Sequence, residues 1–306
     1  MAAASIPTGR LERTRRLGDR VGDGALYGLT ALAAAVGLAI VAAIVWRVAD
    51  GAWPAIRAYH LGFLWHDEWN PVTSRFGARD FVVGTIVTSF GAILLSAPLS
   101  IAVALFLSEL APPAIRGPVG TLIELLAAVP SVVVGLWGIY VLAPFAAHHV
   151  APLLGGGRTE STIFAAILVL AIMTIPITSS ICRELFTGVP TELEEGSIAL
   201  GATRWEMVRT VVIPSVRGGV VAAIILGLGR ALGEAIAVTQ VIGNFIPLKG
   251  LFDPGDTLAS RLANQFAGAG TNIQAASLIY LGLILLVVTF VTNLAARRVV
   301  TRFTRE

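Results

Sequence analysis

Residues 182–219 read CRELFTGVPTELEEGSIALGATRWEMVRTVVIPSVRGG. Two pairs of residues in this stretch, Thr191 with Glu194 and Thr203 with Glu206, have the spacing of capping boxes, which begin helices. A glycine between the two pairs fits a left-handed carboxyl-terminal cap. The stretch therefore predicts a short helix, a glycine turn and a second short helix.

Six apolar runs surround this stretch and set the class of protein. Of the 306 residues, 56% are hydrophobic and 13% are charged, whereas soluble domains have about 45–50% and about 25%. A bilayer core requires about 20 apolar residues per helix. The predicted spans are residues 25–46, 81–107, 119–143, 162–181, 218–242 and 275–296. We therefore predict an all-α membrane protein with six transmembrane helices, and a small surface helix over residues 257–266.

The distribution of basic residues predicts the orientation. With the amino terminus in the cytoplasm, 14 of the 22 Lys and Arg residues fall in cytoplasmic segments, 7 in outer segments and one, Arg230, inside a span. This excess agrees with the positive-inside rule. We expect both termini in the cytoplasm, with a basic tail over residues 1–24, a membrane domain over residues 25–296 and a second tail over residues 297–306. Since the basic excess is explained in this way, we expect no nucleic-acid partner.

The predicted hairpin lies in the longest cytoplasmic connection, residues 182–217. Gly201 is the expected left-handed cap, and Pro214 is expected to break the second helix because proline lacks an N–H and its ring clashes with the preceding turn. The capping and turn residues of the hairpin are compatible with two interpretations. The hairpin is either a solvated connection between two spans or a docking element for a cytoplasmic protein.

The fifth predicted span contains the charged residues Arg230 and Glu234. On a continuous helix, residues four apart share a face. A charged side chain at mid-membrane costs about 2.5–3.5 kcal/mol on insertion scales, so it faces protein or water rather than lipid. The pair is either a structural ion pair between packed helices or a substrate contact. The second interpretation suits a tetrahedral oxyanion, which a guanidinium binds with two hydrogen bonds.

Part of the hairpin resembles a known motif, the EAA loop of ABC-importer permeases. The residues that carry this resemblance are Glu195, Gly196, Ser197, Gly201, Ile213 and Pro214. Gly196 and Ser197 replace the two alanines of the motif with other small residues. The resemblance implies a MetI-like permease core, in which this loop is the coupling helix and lies in a groove of a separate ATPase subunit.

Three further stretches resemble the PstC family, the phosphate permeases of ABC importers. They are LGRALGEAIAVTQVIGN at residues 228–244, the segment at residues 68–112 and AAVPSVVVGLWG at residues 127–138. With the hairpin, the resemblance covers most of residues 68–293. It implies one half of the pore of an inorganic phosphate importer in a bacterial-type inner membrane. Arg230 and Glu234 map onto the charged pair that this family associates with phosphate passage.

The same resemblance implies a set of partners. A PstA-like permease subunit would complete the pore, two copies of a PstB-like ATPase would carry ATP and Mg, and a PstS-like phosphate-binding protein would deliver substrate from outside. The residues agree with a separate ATPase, because a phosphate-binding P-loop requires a Gly-Lys-[Ser/Thr] sequence and the only lysine, Lys249, precedes Gly-Leu. We expect no cofactor and no metal on this chain, and no enzymatic activity.

Two alternatives stay open from the sequence. One is a PstA-like subunit or a permease for another oxyanion, since related subunits share much of this pattern. The other is an ion-coupled secondary transporter, in which Arg230 and Glu234 would form a proton relay. That second alternative assigns no role to the cytoplasmic hairpin.

Overall fold

The computed structural model describes residues 17–303, with side chains described from residue 22 to residue 298. Its helices and strands are α1 (Leu17–Tyr59), β1 (Trp69–Asn70), β2 (Arg75–Phe76), α2 (Arg79–Leu105), α3 (Pro113–Ala127), α4 (Ser131–Trp137), α5 (Ala143–Phe145), α6 (Ile163–Thr187), α7 (Thr191–Ala199), α8 (Arg204–Met207), α9 (Ile213–Gly233), α10 (Ile236–Val241), α11 (Leu258–Gln265) and α12 (Asn272–Phe303). Wider π turns lie at Phe106–Leu110, Gly138–Leu142, Ala146–Val150 and Val208–Val212, and 3-10 turns at His60–Leu64, Ala151–Leu154 and Phe266–Gly268.

The chain divides into two compact units, of which the first ends at Arg47 and the second begins at Val48. In the first unit, α1 exposes every side chain over residues 22–44, as expected of an apolar helix in lipid. The predicted amino-terminal tail lies outside the described residues up to residue 16, and α1 begins at Leu17. At the other end, α12 continues to Phe303, and residues 304–306 lie outside the described residues.

Within residues 17–303, six helices are long and apolar enough to cross a membrane, so the predicted fold class with six transmembrane helices is confirmed. They are Gly22–Leu64, Arg79–Leu110, Ser131–Leu154, Ile163–Thr187, Arg204–Gly233 and Asn272–Arg298. A membrane span must satisfy its backbone hydrogen bonds internally, which is why these segments are helical throughout. The cytoplasmic location of both termini stays a prediction.

The third predicted span, residues 119–143, is wrong in its placement. The apolar run is divided at Pro130, which is the residue before α4, so that α3 ends at Ala127 and the span itself is Ser131–Leu154. Proline cannot donate the backbone hydrogen bond that a continuous helix would need there. A hydropathy window averages over this break because the residues on both sides are apolar.

The fifth predicted span, residues 218–242, is also corrected at both ends. Helical structure runs from Arg204 to Gly233 and continues through Pro214, which does not break it. A π turn over Val208–Val212 precedes the proline, with the N–H of Ile213 donating to the carbonyl of Val208. The wider turn accommodates the proline ring at the start of α9, where its missing N–H has little effect.

In the second unit, α6 is the central helix. The buried share of its most apolar window is 72%, against 28–33% for the other four spans of this unit. It packs against α2, α3 and α9, while α9 also contacts α12, and α10 contacts α4. Because both faces of α6 are covered by protein, the other spans supply the surfaces that face lipid or further subunits.

The segment before the last span contains the helix predicted for residues 257–266. This helix exists as α11, and the Thr257 hydroxyl caps it by accepting a hydrogen bond from the N–H of Ser260 at 3.1 Å. Its first turn, Leu258–Arg261, is buried rather than on the surface. The N–H of Leu258 donates to the Thr85 hydroxyl of α2 at 2.9 Å, which holds the helix against the amino-terminal part of that span.

Close packing at Gly84 provides a test of this arrangement. A Cβ at Gly84 would overlap the backbone carbonyl oxygen of Asp256, whereas a Cβ at the exposed Gly117 of α3 meets nothing within 4 Å. We expect Gly84→Ala to lower the free energy of unfolding by about 1–3 kcal/mol and Gly117→Ala to raise it by about 0.5–1 kcal/mol. Denaturant unfolding of the purified protein in detergent measures both, and equal stability of the two variants would contradict the packing described.

Candidate functional site

The hairpin predicted to lie in the cytoplasm begins differently from the prediction. Pro190, with φ −60° and ψ 126°, occupies the N-cap position of α7, and Thr191 is the first helical residue. No side-chain hydrogen bond caps this helix, so the capping box predicted for Thr191 and Glu194 is wrong. Since Pro190 has no N–H, its position just before the helix loses no hydrogen bond. Glu194 lies in the first turn, where its negative charge is favourable to the helix dipole.

The turn and the second helix of the hairpin confirm the prediction. Gly201 has φ +92°, its N–H donates to Ile198 at 2.9 Å, and the N–H of Ala202 donates to Ser197 at 3.2 Å. This double closure is a Schellman motif. Thr203 and Glu206 form the predicted capping box, with each side chain accepting from the other residue's N–H, at 2.8 and 3.3 Å.

The outer face of the hairpin is exposed and partly apolar. Leu193, Leu200 and Trp205 are 51%, 92% and 65% exposed. Of the EAA-like residues, Glu195, Gly196, Gly201 and Pro214 are exposed, and Ser197 and Ile213 are half-buried. Large apolar side chains exposed together mark a docking surface more often than a solvated turn.

The carboxylates of α7 make the surface of the hairpin acidic around Glu194. Burial raises the pKa of Glu194, and the nearby carboxylates of Glu109 and Glu195 raise it further. The face is therefore acidic as well as apolar, and a partner with basic residues around an apolar groove would complement it.

The inner face of the hairpin is packed onto the spans. Three residues of the hairpin are buried in one cluster with residues of α2, α6 and α9, and the half-buried Ile213 packs against this cluster. Its members include Met207, Val208 and Val212 of the hairpin, Ala104 of α2, Cys182 and Phe186 of α6, and Ala223 of α9. Because close-packed interiors transmit strain, the hairpin is mechanically connected to the ends of these three spans that it contacts.

The charged pair of the fifth span does not lie on one helix. The helix α9 ends at Gly233, and Glu234 is extended, with φ −71° and ψ 119°. The predicted i, i+4 relationship of Arg230 and Glu234 therefore fails, and within residues 17–303 no ion pair joins them. The Glu234 carboxylate instead accepts a hydrogen bond from the N–H of Ala237 at 3.5 Å, at the start of α10.

Arg230 lies at the surface of this chain, in the last turn of a membrane span. It is exposed and lines a small cavity of about 10 Å³ with Ala127, Val129, Val134 and Met173 among its neighbours. A cavity of this size holds about one water molecule. Nothing in the described part of the chain neutralises the guanidinium, so it must meet water, substrate or another subunit.

Sequence reasoning missed two features near this helix break. The side-chain oxygen of Gln240 is buried beside Gly135 of α4 and has no hydrogen-bond partner. Asp256 and Arg261 form a buried ion pair, with 2.7 Å between Oδ2 and Nε. Neither has a sequence pattern that separates it from an ordinary residue: Gln240 lies in an apolar run, and Arg261 counted only as an outer-loop charge.

The comparisons with known proteins decide the family. The model of the family described as binding-protein-dependent transport system inner membrane component matches residues 96–305. The chain belongs to this family. Similar curated proteins include the phosphate transport system permease protein PstC of Pasteurella multocida, 41% identical over 87% of this chain and 88% of the relative, and that of Xylella fastidiosa strain 9a5c, 42% identical over 91% and 90%. The expected relationship with the PstC family is confirmed.

Solved structures agree on the fold. A bacterial alginate ABC transporter in complex with an alginate pentasaccharide-bound periplasmic protein contains a chain that matches with a TM-score of 0.59 and 17% identity, over 95% of this chain and 98% of that one. A chain of the inward-facing MetNI methionine ABC transporter matches with a TM-score of 0.53 and 20% identity, over 74% and 94%. The protein is a multi-pass permease subunit with the MetI-like fold of ABC importers.

The glycines of the hairpin offer a matched test of its geometry. At φ +92°, Gly201 cannot become alanine without strain of about 1–2 kcal/mol, whereas Gly196 is helical with nothing within 4 Å of a Cβ. We expect Gly201→Ala to increase hydrogen exchange of the amides in residues 191–207, and Gly196→Ala to decrease it. Hydrogen-exchange mass spectrometry of the purified permease measures both, and faster exchange in Gly196→Ala would refute the description of α7.

Proposed function

We propose that this chain is the PstC-like half of the pore of an ATP-driven importer of inorganic phosphate. The observation that carries the proposal is Arg230, whose guanidinium lies at the surface of a membrane span and has no ionic partner among the side chains of residues 22–298. The names of the curated relatives supply the substrate. A neutral solute such as a sugar would not compensate an arginine removed from water, whereas an oxyanion does.

Arg230 and Glu234 have complementary roles in this proposal. The guanidinium donates two parallel hydrogen bonds to adjacent oxygens of the anion. An ionised carboxylate only accepts hydrogen bonds. Phosphate near neutral pH still carries a hydroxyl group and sulfate does not, so Glu234 accepts a hydrogen bond from phosphate and repels sulfate. The helix ends after Gly233 and the two side chains form no ion pair within residues 22–298, which leaves both available to a substrate.

The exposed faces of the chain match the partners that we propose. A PstA-like permease subunit covers the surface that carries Arg230 and completes the pore. A PstB-like ATPase dimer, which binds ATP and Mg, receives Leu193, Leu200 and Trp205 of the hairpin in its grooves. A PstS-like phosphate-binding protein delivers the substrate on the opposite side. This chain itself binds no cofactor and performs no covalent chemistry.

Transport then follows from alternating access in a bacterial-type inner membrane, with both termini in the cytoplasm. Closure of the ATPase dimer displaces the hairpin, and the packed cluster around Met207 and Phe186 carries the displacement into α2, α6 and α9. Because Arg230 lies on α9, its access changes from one side of the membrane to the other. Hydrolysis on the ATPase resets the cycle.

Substitution of Arg230 tests the proposed function directly. Loss of a charge-assisted hydrogen bond costs about 1.5–3 kcal/mol, which corresponds to about 10- to 150-fold in rate. We expect Arg230→Gln to lower phosphate uptake by this factor in vesicles that contain the assembled transporter and the binding protein. Arg230→Lys should retain part of the activity, because lysine keeps the positive charge. It should not retain all of it, because an ammonium group cannot donate the two parallel hydrogen bonds of a guanidinium. Uptake that a proton gradient drives without ATP would instead support a secondary transporter.

Substitution of Glu234 tests the discrimination between anions. Glu234→Gln replaces a pure acceptor by a group that also donates, so sulfate is no longer repelled. We expect the ratio of phosphate to sulfate uptake in the same vesicles to fall, while Glu160→Gln, which alters an exposed outer carboxylate, leaves it unchanged. An unaltered ratio in Glu234→Gln would remove the role given to this carboxylate.

A further inference from the structure

The transport path is adjacent to a buried polar network at one end of α10. The network contains the only ion pair with both side chains less than a tenth exposed among the described residues: Arg261 is 6% exposed and Asp256 is 0% exposed, at 2.7 Å. The Arg261 guanidinium also lies over the rings of Phe81, at 4.9 Å, and Trp69, at 5.9 Å. Two charges removed from water in this way are costly unless their geometry is fixed.

This network reaches α10 through Asn244. The hydroxyl of Ser260 donates to the side-chain oxygen of Asn244 at 2.9 Å, and Arg261 Nη2 lies 3.5 Å from the Asn244 carbonyl oxygen. The Asn244 amide in turn donates at 2.7 Å to the carbonyl of Thr239 in α10. The backbone adds a second connection, because Gly255, next to Asp256, donates to the carbonyl of Ile242 at 2.9 Å.

The other side of the network is attached to α2. The N–H of Leu258 donates to Thr85, and Gly84 has no side chain, which allows the backbone of Asp256 to approach. The six-residue helix α10 is therefore held between Glu234 at its beginning and Asn244 at its end. Such a short helix is not stable by itself and takes its position from these contacts.

We propose that Arg261 and Asp256 are positioning residues of the transport path, which fix α10, and with it Glu234 and Gln240, against the scaffold of α2. They do not touch substrate. The pair orients Ser260, Ser260 orients Asn244, and Asn244 holds the end of α10. This inference rests on the proposed function, because the segment that the network holds is the one that follows Arg230.

The coupling ratio, which is the ratio of phosphate import to ATP hydrolysis, distinguishes an effect of these residues on the transport path from an effect on the stability of the protein. The number of phosphate ions imported per ATP hydrolysed by the assembled transporter in vesicles does not depend on how much of the protein is folded. We expect this ratio to fall at least threefold in Ser260→Ala and further in Arg261→Met. The matched control is Ser277→Ala, which removes an equally buried hydroxyl that bonds only to its own helix, at the carbonyl of Ile273; its ratio should equal that of the wild type.

A second measurement does not depend on the substrate. In the purified permease, Ser260→Ala should accelerate hydrogen exchange of the amides in residues 236–244, and Ser277→Ala should not. An unchanged coupling ratio in Ser260→Ala, or exchange equal to that of the control, would overturn the positioning role even if Arg261→Met fails to assemble. If the wild-type transporter imports no phosphate, the proposed function fails, while the exchange experiment still decides whether the network holds α10.

Discussion

A guanidinium inside a membrane-spanning helix is the constraint on which the rest of this protein depends. Arg230 is exposed on its own chain and has apolar neighbours, and lipid cannot solvate it at an acceptable free energy. Two features of the fold give this charge access to something other than lipid. The fold ends the helix three residues later, which opens the backbone beside the charge, and it leaves the surface uncovered for another molecule to complete.

Two candidate functional regions of the chain are joined by one stretch of helical structure. Arg204 lies in the predicted hairpin and Gly233 borders the extended Glu234, and helix continues between them through a proline. A π turn over Val208–Val212 precedes that proline. In the proposed function, this helical stretch connects the docking surface to the transport path without an intervening loop.

Much of the fold could be predicted from the sequence because hydropathy and capping are local signals. The six spans, the glycine turn at Gly201 and the box at Thr203 follow from residue types within a few positions. Hydropathy does not place the breaks at Pro130 and Glu234, since apolar residues continue across both, although a proline at position 130 itself predicts a kink or a helix end. The first capping box failed because Pro190 competes for the position before the helix, and the network around Arg261 brings together residues from α2, α10 and α11 that no spacing connects.

The exposed position of Arg230 also has a consequence for a copy of the chain that is not assembled. A copy without its proposed companions exposes Arg230 on a membrane span, together with an uncovered apolar hairpin. In the proposed assembly, the second permease subunit and the ATPase cover both features. An isolated copy then differs from an assembled one in the surface that it exposes.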